Sequence, residues 1–397
     1  MEHLLYLTHR LPYPPNKGDK IRSWHFLKGL AEHYRIHLGT FIDDPEDHVH
    51  LPHVQALCAS VYAPTLNPGF CRLKSLTGLL RGEALSLAYY RHRGLRTWVD
   101  AVVRTHNPRR ALVFSSPMGQ YLVPRHRAGR RLVTDFVDVD SAKWLAYSET
   151  GARLPLRWVY RREAERLLQW ETALARQSDA GVFVSAAEAE LFNSLQKPPL
   201  SSVTHVDNGV DLAYFDPALV FPDPWPTVGP RLVFTGAMDY RANVDAVVWF
   251  CRDIWPAIRA ALPTASFAIV GARPAPDVRA LVQHSGVIVT GTVADVRPWL
   301  GHAATMVAPL RIARGIQNKV LEGMAMNLPV VGTSAAFEGI VRRDNPALWV
   351  ADDARAFSRA CVDALSVPAT VSRAQIRQDH DWSAQLERLR TLLEGAP

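Results

Sequence analysis

The chain has 397 residues, 48% of them hydrophobic and 21% charged. That is the profile of a soluble globular protein with room for two or three domains. No run of about 18 uncharged apolar residues is present to cross a bilayer. The N-terminus, MEHLLYLTHRLPYPP, lacks the basic start and apolar stretch of a signal peptide, so a cytoplasmic location is expected. A net charge of +7 favours anionic partners, whether nucleic acid, phosphorylated small molecules or acidic membranes. Cys58, Cys71, Cys251 and Cys361 are far apart, and neither a zinc motif nor a disulfide framework is expected from them.

Short apolar runs alternate with helical patterns along the chain. In the first half, strands are expected at 3–9, 35–42, 111–116, 131–139 and 180–185. Residues 216–230 hold Pro217, Pro222, Pro224, Pro226 and Pro230. These exclude a regular helix and mark a linker. Beyond it, strands are expected at 231–237, 266–272, 287–293, 305–310, 328–333 and 347–352. Many of the runs are continuously apolar, as in strands covered on both faces of a parallel sheet. Helical periodicity fills the gaps, as at 243–262 and 317–326, and returns in a last stretch at 382–393. The expected fold is α/β, with two doubly wound, Rossmann-like domains. The domains run 1–215 and 231–380, joined by the linker 216–230 and followed by a C-terminal helix at 381–397.

The stretch RGIQNKVLEGMA, Arg314 to Ala325, carries the densest chemistry. A strand, TMVAPL, precedes it, and Val320, Leu321, Met324 and Ala325 form a core-facing helical stripe. Gly315 therefore falls where a loop enters a helix at the C-terminal edge of a sheet, where such folds bind ligands. The helix start offers free N–H groups and a positive dipole end, which suit phosphate. Arg314 and Lys319 add positive charge. Glu322, one turn after Lys319, is placed to accept hydrogen bonds from sugar hydroxyls. A second glycine loop, at Gly236, leads to Arg241, and Gly271 and Gly291 also end strands in this half. No GxGxxG opens either half, so a dehydrogenase is not expected.

DNGVDLAYFDP (207–217), FTGAMDYRANVDAV (234–247), GTVADVRPWL (291–300) and PLRIARGIQNKVLEGMAMNLPVVGT (309–333) resemble successive landmarks of glycosyltransferase family 4. Those enzymes have the GT-B architecture, two Rossmann-like domains facing a cleft. LPYPPNKGDKIRSWHFLKGLA (11–31), DFVDVDSAKWLAYSE (135–149) and RREAERLLQWE (161–171) resemble one subgroup, the sugar transferase of exopolysaccharide loci that accompany exosortase A and PEP-CTERM sorting. The resemblance implies a hexosyltransferase that retains anomeric configuration. It assigns Glu322 to the nucleotide ribose and Lys319 to the diphosphate. Gly236 falls on the first C-domain loop, with Arg241 near a phosphate-binding position. Thr292 and Val293 fall where the base is held, and Gly18 in the N-domain glycine loop. Arg314 stands where the family has the first glutamate of a pair, and Val137 where it commonly has a histidine, with Asp138 following.

Charge then orders the candidates. Breaking the glycosidic bond loads negative charge onto the leaving diphosphate, which fixed cations stabilise. Lys319 leads, followed by Arg241 and Arg314, with Asp138 orienting donor or acceptor. No cofactor is expected beyond the nucleotide-sugar co-substrate, and no metal, although DVD at 138–140 matches a DxD metal signature. Segments 71–96 and 153–170 set basic residues among leucines and aromatics, which makes an anionic membrane surface a candidate partner beside a glycan or lipid-linked acceptor. No nucleic-acid motif is present. Two other functions fit the same residues: a degenerate, nucleotide-binding scaffold of a polysaccharide complex, and a GT-B sugar-nucleotide epimerase.

Overall fold

A computed structural model describes residues 1–15, 17–123, 125–149, 154–313, 315–340, 345–366 and 372–395. The chain forms two compact units, Met1–Asp207 with Gln385–Pro397, and Asn208–Ala384.

The first unit is built on seven strands: β1 (Glu2–Thr8), β2 (Tyr34–Gly39), β3 (Ser60–Tyr62), β4 (Arg110–Phe114), β5 (Arg131–Val137), β6 (Ala180–Phe183) and β7 (Val203–His205). They pair in parallel in the order β3-β2-β1-β4-β5-β6-β7. The strand order reverses between β1 and β4. Leu4, Leu5, Tyr6 and Leu7 are all fully buried, as the unbroken apolar run requires once helices cover both faces. Inside the unit, Arg22 of helix Gly18–Ala31 donates through Nε to Asp135 Oδ2 of β5 at 2.8 Å. Neither side chain touches solvent. A buried pair of this kind is costly to break from one side, by about 3–5 kcal/mol.

The second unit has β8 (Arg231–Thr235), β9 (Ser266–Val270), β10 (Val287–Gly291), β11 (Thr305–Ala308), β12 (Val330–Gly332) and β13 (Leu348–Val350). Their order is β10-β9-β8-β11-β12-β13, again all parallel. Here the switch point lies between β8 and β11. The loops leaving those two strands carry Gly236 and Gly315, so the topology opens the sheet edge where the glycine-bearing loops converge.

The chain passes between units at Asp207/Asn208 and again at Ala384/Gln385, which differs from the sequence-based linker at 216–230. The proline-rich segment lies within the second unit. Trp225 is buried there, its indole N–H donating to Trp299 O at 3.3 Å. Prolines stop regular structure, but they do not stop an aromatic from packing. The last helix, Trp382–Glu394, starts in the second unit and finishes in the first. There Arg110 and Arg131 donate to the carbonyls of Leu393 and Leu392. Among the described residues, no helix is long and apolar enough to cross a membrane.

Candidate functional site

Helix Asn318–Ala325 forms because Val320, Leu321, Met324 and Ala325 bury one stripe against the second sheet. Gly323 sits against the Met306 side chain of β11 and leaves no room for a Cβ. The opposite face carries Lys319 and Glu322, both half-buried. The helix is entered through Gly315, whose φ of +63° is left-handed and disfavours any residue with a Cβ. Gln317 precedes the helix in extended conformation, and its side chain does not cap it.

Lys319 is a cation in the first turn, the end where the helix dipole repels positive charge. It is held by Asn243, whose Oδ1 accepts from Lys319 Nζ at 2.8 Å. The ammonium also lies 4.9 Å from the Phe234 ring centre of β8. Asn243, in helix Arg241–Trp249, is buried and donates through Nδ2 to Ala237 O at 2.9 Å. One amide thus ties the lysine to the loop after β8. That loop is nested against the one after β9. A Cβ on Gly271 would lie 1.7 Å from Gly236 O, and one on Gly236 would lie 2.7 Å from Asn243 Nδ2. Only glycine fits either place.

Burial shifts both charged groups of the helix. It lowers the Lys319 ammonium to about 8, with Glu322 opposing the shift. It raises the Glu322 carboxyl to about 7, with Lys319 opposing. Both groups are thereby poised near neutrality, as perturbed groups at functional sites often are.

Several neighbours were not singled out from sequence. Arg297 makes a forked ion pair with Asp295 and lies 3.8 Å from the Tyr214 ring centre. Tyr214 OH reaches Asp295 Oδ1 at 3.4 Å. Burial and then Asp295 raise the Tyr214 phenol, with Glu322 adding to the rise. Arg311, in the loop after β11, pairs with Asp245 at 2.5 Å. Asn243 had one sequence signal: an amide within the first turn of a helix that follows a glycine loop. Tyr214, Asp295 and Arg297 lie in stretches 207–217 and 291–300 that carry the family resemblance, but the pairing of Tyr214 with Asp295 across 81 positions had no local signal.

The other expected site residues fall as follows. Arg241 is exposed at the first position of its helix. Thr292 is exposed just past β10, and Val293 is half-buried against the core of the second unit. Arg314 lies outside the described residues. Gly18 opens the first helix of the first unit. Asp138 lies in that unit just past β5, where Val137 holds a φ of +70°. A β-branched residue there is a genuine outlier, and such strain costs about 1–3 kcal/mol. Lys143 Nζ is 2.5 Å from Asp138 Oδ2 and 3.4 Å from Asp140 Oδ1. One ammonium thus contacts both carboxylates of DVD. Nearby, Ser141 donates to Glu171 at 2.6 Å, and burial lifts that carboxyl to about 8.

Lys319→Met is expected to raise the melting temperature near pH 7, by about 2–4 °C per kcal/mol of desolvation relieved. The gain narrows as pH rises from about 8 towards 10.5, where the unfolded chain keeps a proton that the folded chain has released. Melts near pH 7 and near pH 10 measure this; no gain at the lower pH contradicts the burial.

The comparisons accord with this geometry. Residues 229–366 match the family model described as Glycosyl transferases group 1. No curated protein matches the sequence. Among solved structures, the chain is similar to sucrose-phosphate synthase from Thermosynechococcus elongatus, at 15% identity and TM-score 0.70, covering 99% of this chain and 98% of that one. It is similar to Anabaena Alr3699/HepE in complex with UDP and glucose, at 14% identity and TM-score 0.65, covering 99% of each. It is also similar to WaaG, a glycosyltransferase involved in lipopolysaccharide biosynthesis, at 14% identity and TM-score 0.62, covering 99% of this chain and 100% of that one. Residues 229–366 thus match the glycosyl transferases group 1 model within a chain that has the GT-B fold.

Proposed function

We propose that this protein moves a hexose from a nucleotide-sugar to a glycan or lipid-linked acceptor, with retention, in bacterial exopolysaccharide synthesis. The observation that carries the reading is Lys319, fixed by Asn243 beside the Gly236 loop at the switch point of the second sheet. A diphosphate seated on the start of helix Asn318–Ala325 meets that ammonium and the free N–H groups together. A similar solved structure supports the donor class: Anabaena Alr3699/HepE in complex with UDP-glucose.

In the reaction, the bond between the anomeric carbon and the phosphate oxygen breaks. An acceptor hydroxyl oxygen forms the new bond on the same face, and its proton passes to the leaving phosphate, so no strong protein base is required. Lys319 balances the charge that grows on the diphosphate, assisted by Arg241 and Arg314. Glu322, when ionised, accepts from the ribose hydroxyls. Gly236, Gly315 and Gly18 keep backbone close to the donor, Thr292 and Val293 border the base, and Asp138 orients the sugar or acceptor. No metal is required. The exopolysaccharide role and the exosortase-associated subgroup rest on the sequence resemblance. A nucleotide-binding scaffold without turnover is the competing reading, supported by Arg314 at the position of a family glutamate.

Two observations support docking at the inner face of an anionic membrane. Helices Pro68–Ser75 and Thr77–Leu80 leave Phe70, Leu73, Leu76 and Leu80 exposed at spacings of three and four, with Leu80 91% exposed. Arg162 joins this element to helix Leu154–Gln177 through the carbonyls of Gly78 and Glu83. One turn away, Trp158 is 61% exposed between the exposed Arg157 and Arg161. An apolar stripe flanked by arginines suits a lipid interface.

Lys319→Ala is expected to lower kcat for nucleoside diphosphate release by roughly 10²–10³, about 2.7–4 kcal/mol of barrier. In the wild type, kcat/KM should rise as Glu322 ionises near pH 7 and fall as Lys319 loses its proton near pH 8. Undiminished release by the variant refutes the role of Lys319. Diphosphate binding without release from any of the UDP-, GDP-, ADP- or dTDP-sugars supports the scaffold instead.

Separately, the protein should sediment with phosphatidylglycerol vesicles at low salt but not with phosphatidylcholine vesicles, and Leu80→Asp with Trp158→Asp should abolish this. Unchanged sedimentation of the double variant removes the stripe from membrane binding.

A further inference from the structure

We propose that His3, His37 and His106 form a tri-histidine site for a zinc-class divalent ion, at the edge of the first sheet away from its strand C-termini. Among the described residues, they are the one group of three or more metal-type side chains that converges, with one ligand nitrogen from each within 4.8 Å of the others. They come from three elements: β1, β2, and the last residue of helix Arg93–His106. Leu5 is registered opposite His37. His3, two residues before Leu5, therefore shares the sheet face of His37. His3 Nδ1 lies 2.8 Å from His37 Nε2. The His106 ring lies over both, its centre 5.0 Å from that of His3 and 4.4 Å from that of His37.

The surroundings match what a metal-binding imidazole requires. His37 is buried, and its Nδ1 lies 2.8 Å from Ser60 Oγ of β3. With that N–H given to the hydroxyl, Nε2 presents its lone pair toward His3, the outer-shell arrangement that fixes a ligand's tautomer. On binding, the proton shared between His3 Nδ1 and His37 Nε2 moves to His3 Nε2, so the ring remains neutral and the charge balances. Nitrogens now 2.8 Å apart need to open only slightly to share an ion at about 2.0–2.1 Å from each. His106 is exposed, so it can swing in as the third ligand and leaves a fourth position for water. Imidazole nitrogens with no carboxylate or thiolate select zinc, copper or nickel over magnesium or calcium. Arg35 and the N-terminal amino group press on His3 from nearby. Their positive charge weakens the site without removing a ligand. An ion here would staple β1, β2 and the end of helix Arg93–His106. It lies at the opposite strand ends from Asp138 and takes no part in sugar transfer.

The test uses the full chain without a polyhistidine tag, stripped with a chelator and titrated with Co²⁺ alone. The expected result is one saturable equivalent with visible d–d absorption, displaced by Zn²⁺, and no thiolate charge-transfer band that would implicate Cys58. Zn²⁺ should also raise the melting temperature. His106→Ala and His3→Gln should each weaken binding by at least the roughly 10–100-fold that loss of an outer partner costs. His106 is exposed, so its variant keeps the fold even if one at buried His37 does not. Co²⁺ binding equal in wild type and the His3→Gln/His106→Ala double variant, or none in wild type, overturns the proposal.

Discussion

The hydrogen bond from Lys319 to Asn243 is the interaction on which the second unit's site depends. It holds a cation at the end of a helix that already repels one. The ammonium is half-buried and loses part of its affinity for a proton, and its near neighbour Glu322 gains one. A site that stores unfavourable charge in a fixed position is one prepared for an anion, because the ligand supplies what the protein lacks. The nested loops complete the setting. Gly236 and Gly271 approach so closely that no side chain separates the loops after β8 and β9.

Much of this was legible in the sequence. The eleven expected strands all form, because continuous apolar runs between helical stretches have few alternatives to a parallel sheet. β3 (SVY) and β7 (VTH) escaped notice because neither sits in a continuous apolar run, as the equally short β13 (LWV) does. Lys319, Glu322 and Gly315 could be placed because glycine and charge at a strand-to-helix junction have local meaning. Asn243 was hidden because its importance lies in what its two amide atoms touch, and both partners are set by tertiary packing. The Tyr214–Arg297–Asp295 cluster is hidden for the same reason. The proline-rich segment misled in the opposite direction: composition correctly excluded regular structure but said nothing of Trp225, which anchors the segment in the core.

In the first unit the balance differs. Its buried Arg22–Asp135 pair ties helix to sheet, while the strained Val137 hands Asp138 to Lys143. That lysine contacts both carboxylates of the DVD stretch. Metal-type side chains converge instead at His3, His37 and His106, residues too far apart in the chain to form a motif.

The most direct test of the central claim is calorimetric binding of UDP, GDP, ADP and dTDP, each beside its monophosphate, to the wild type and Lys319→Ala. If Lys319 grips the diphosphate, the substitution weakens the preferred diphosphate at least about tenfold, a difference of ~1.4 kcal/mol, and leaves its monophosphate nearly unchanged. Equal diphosphate affinity in the two proteins would contradict it.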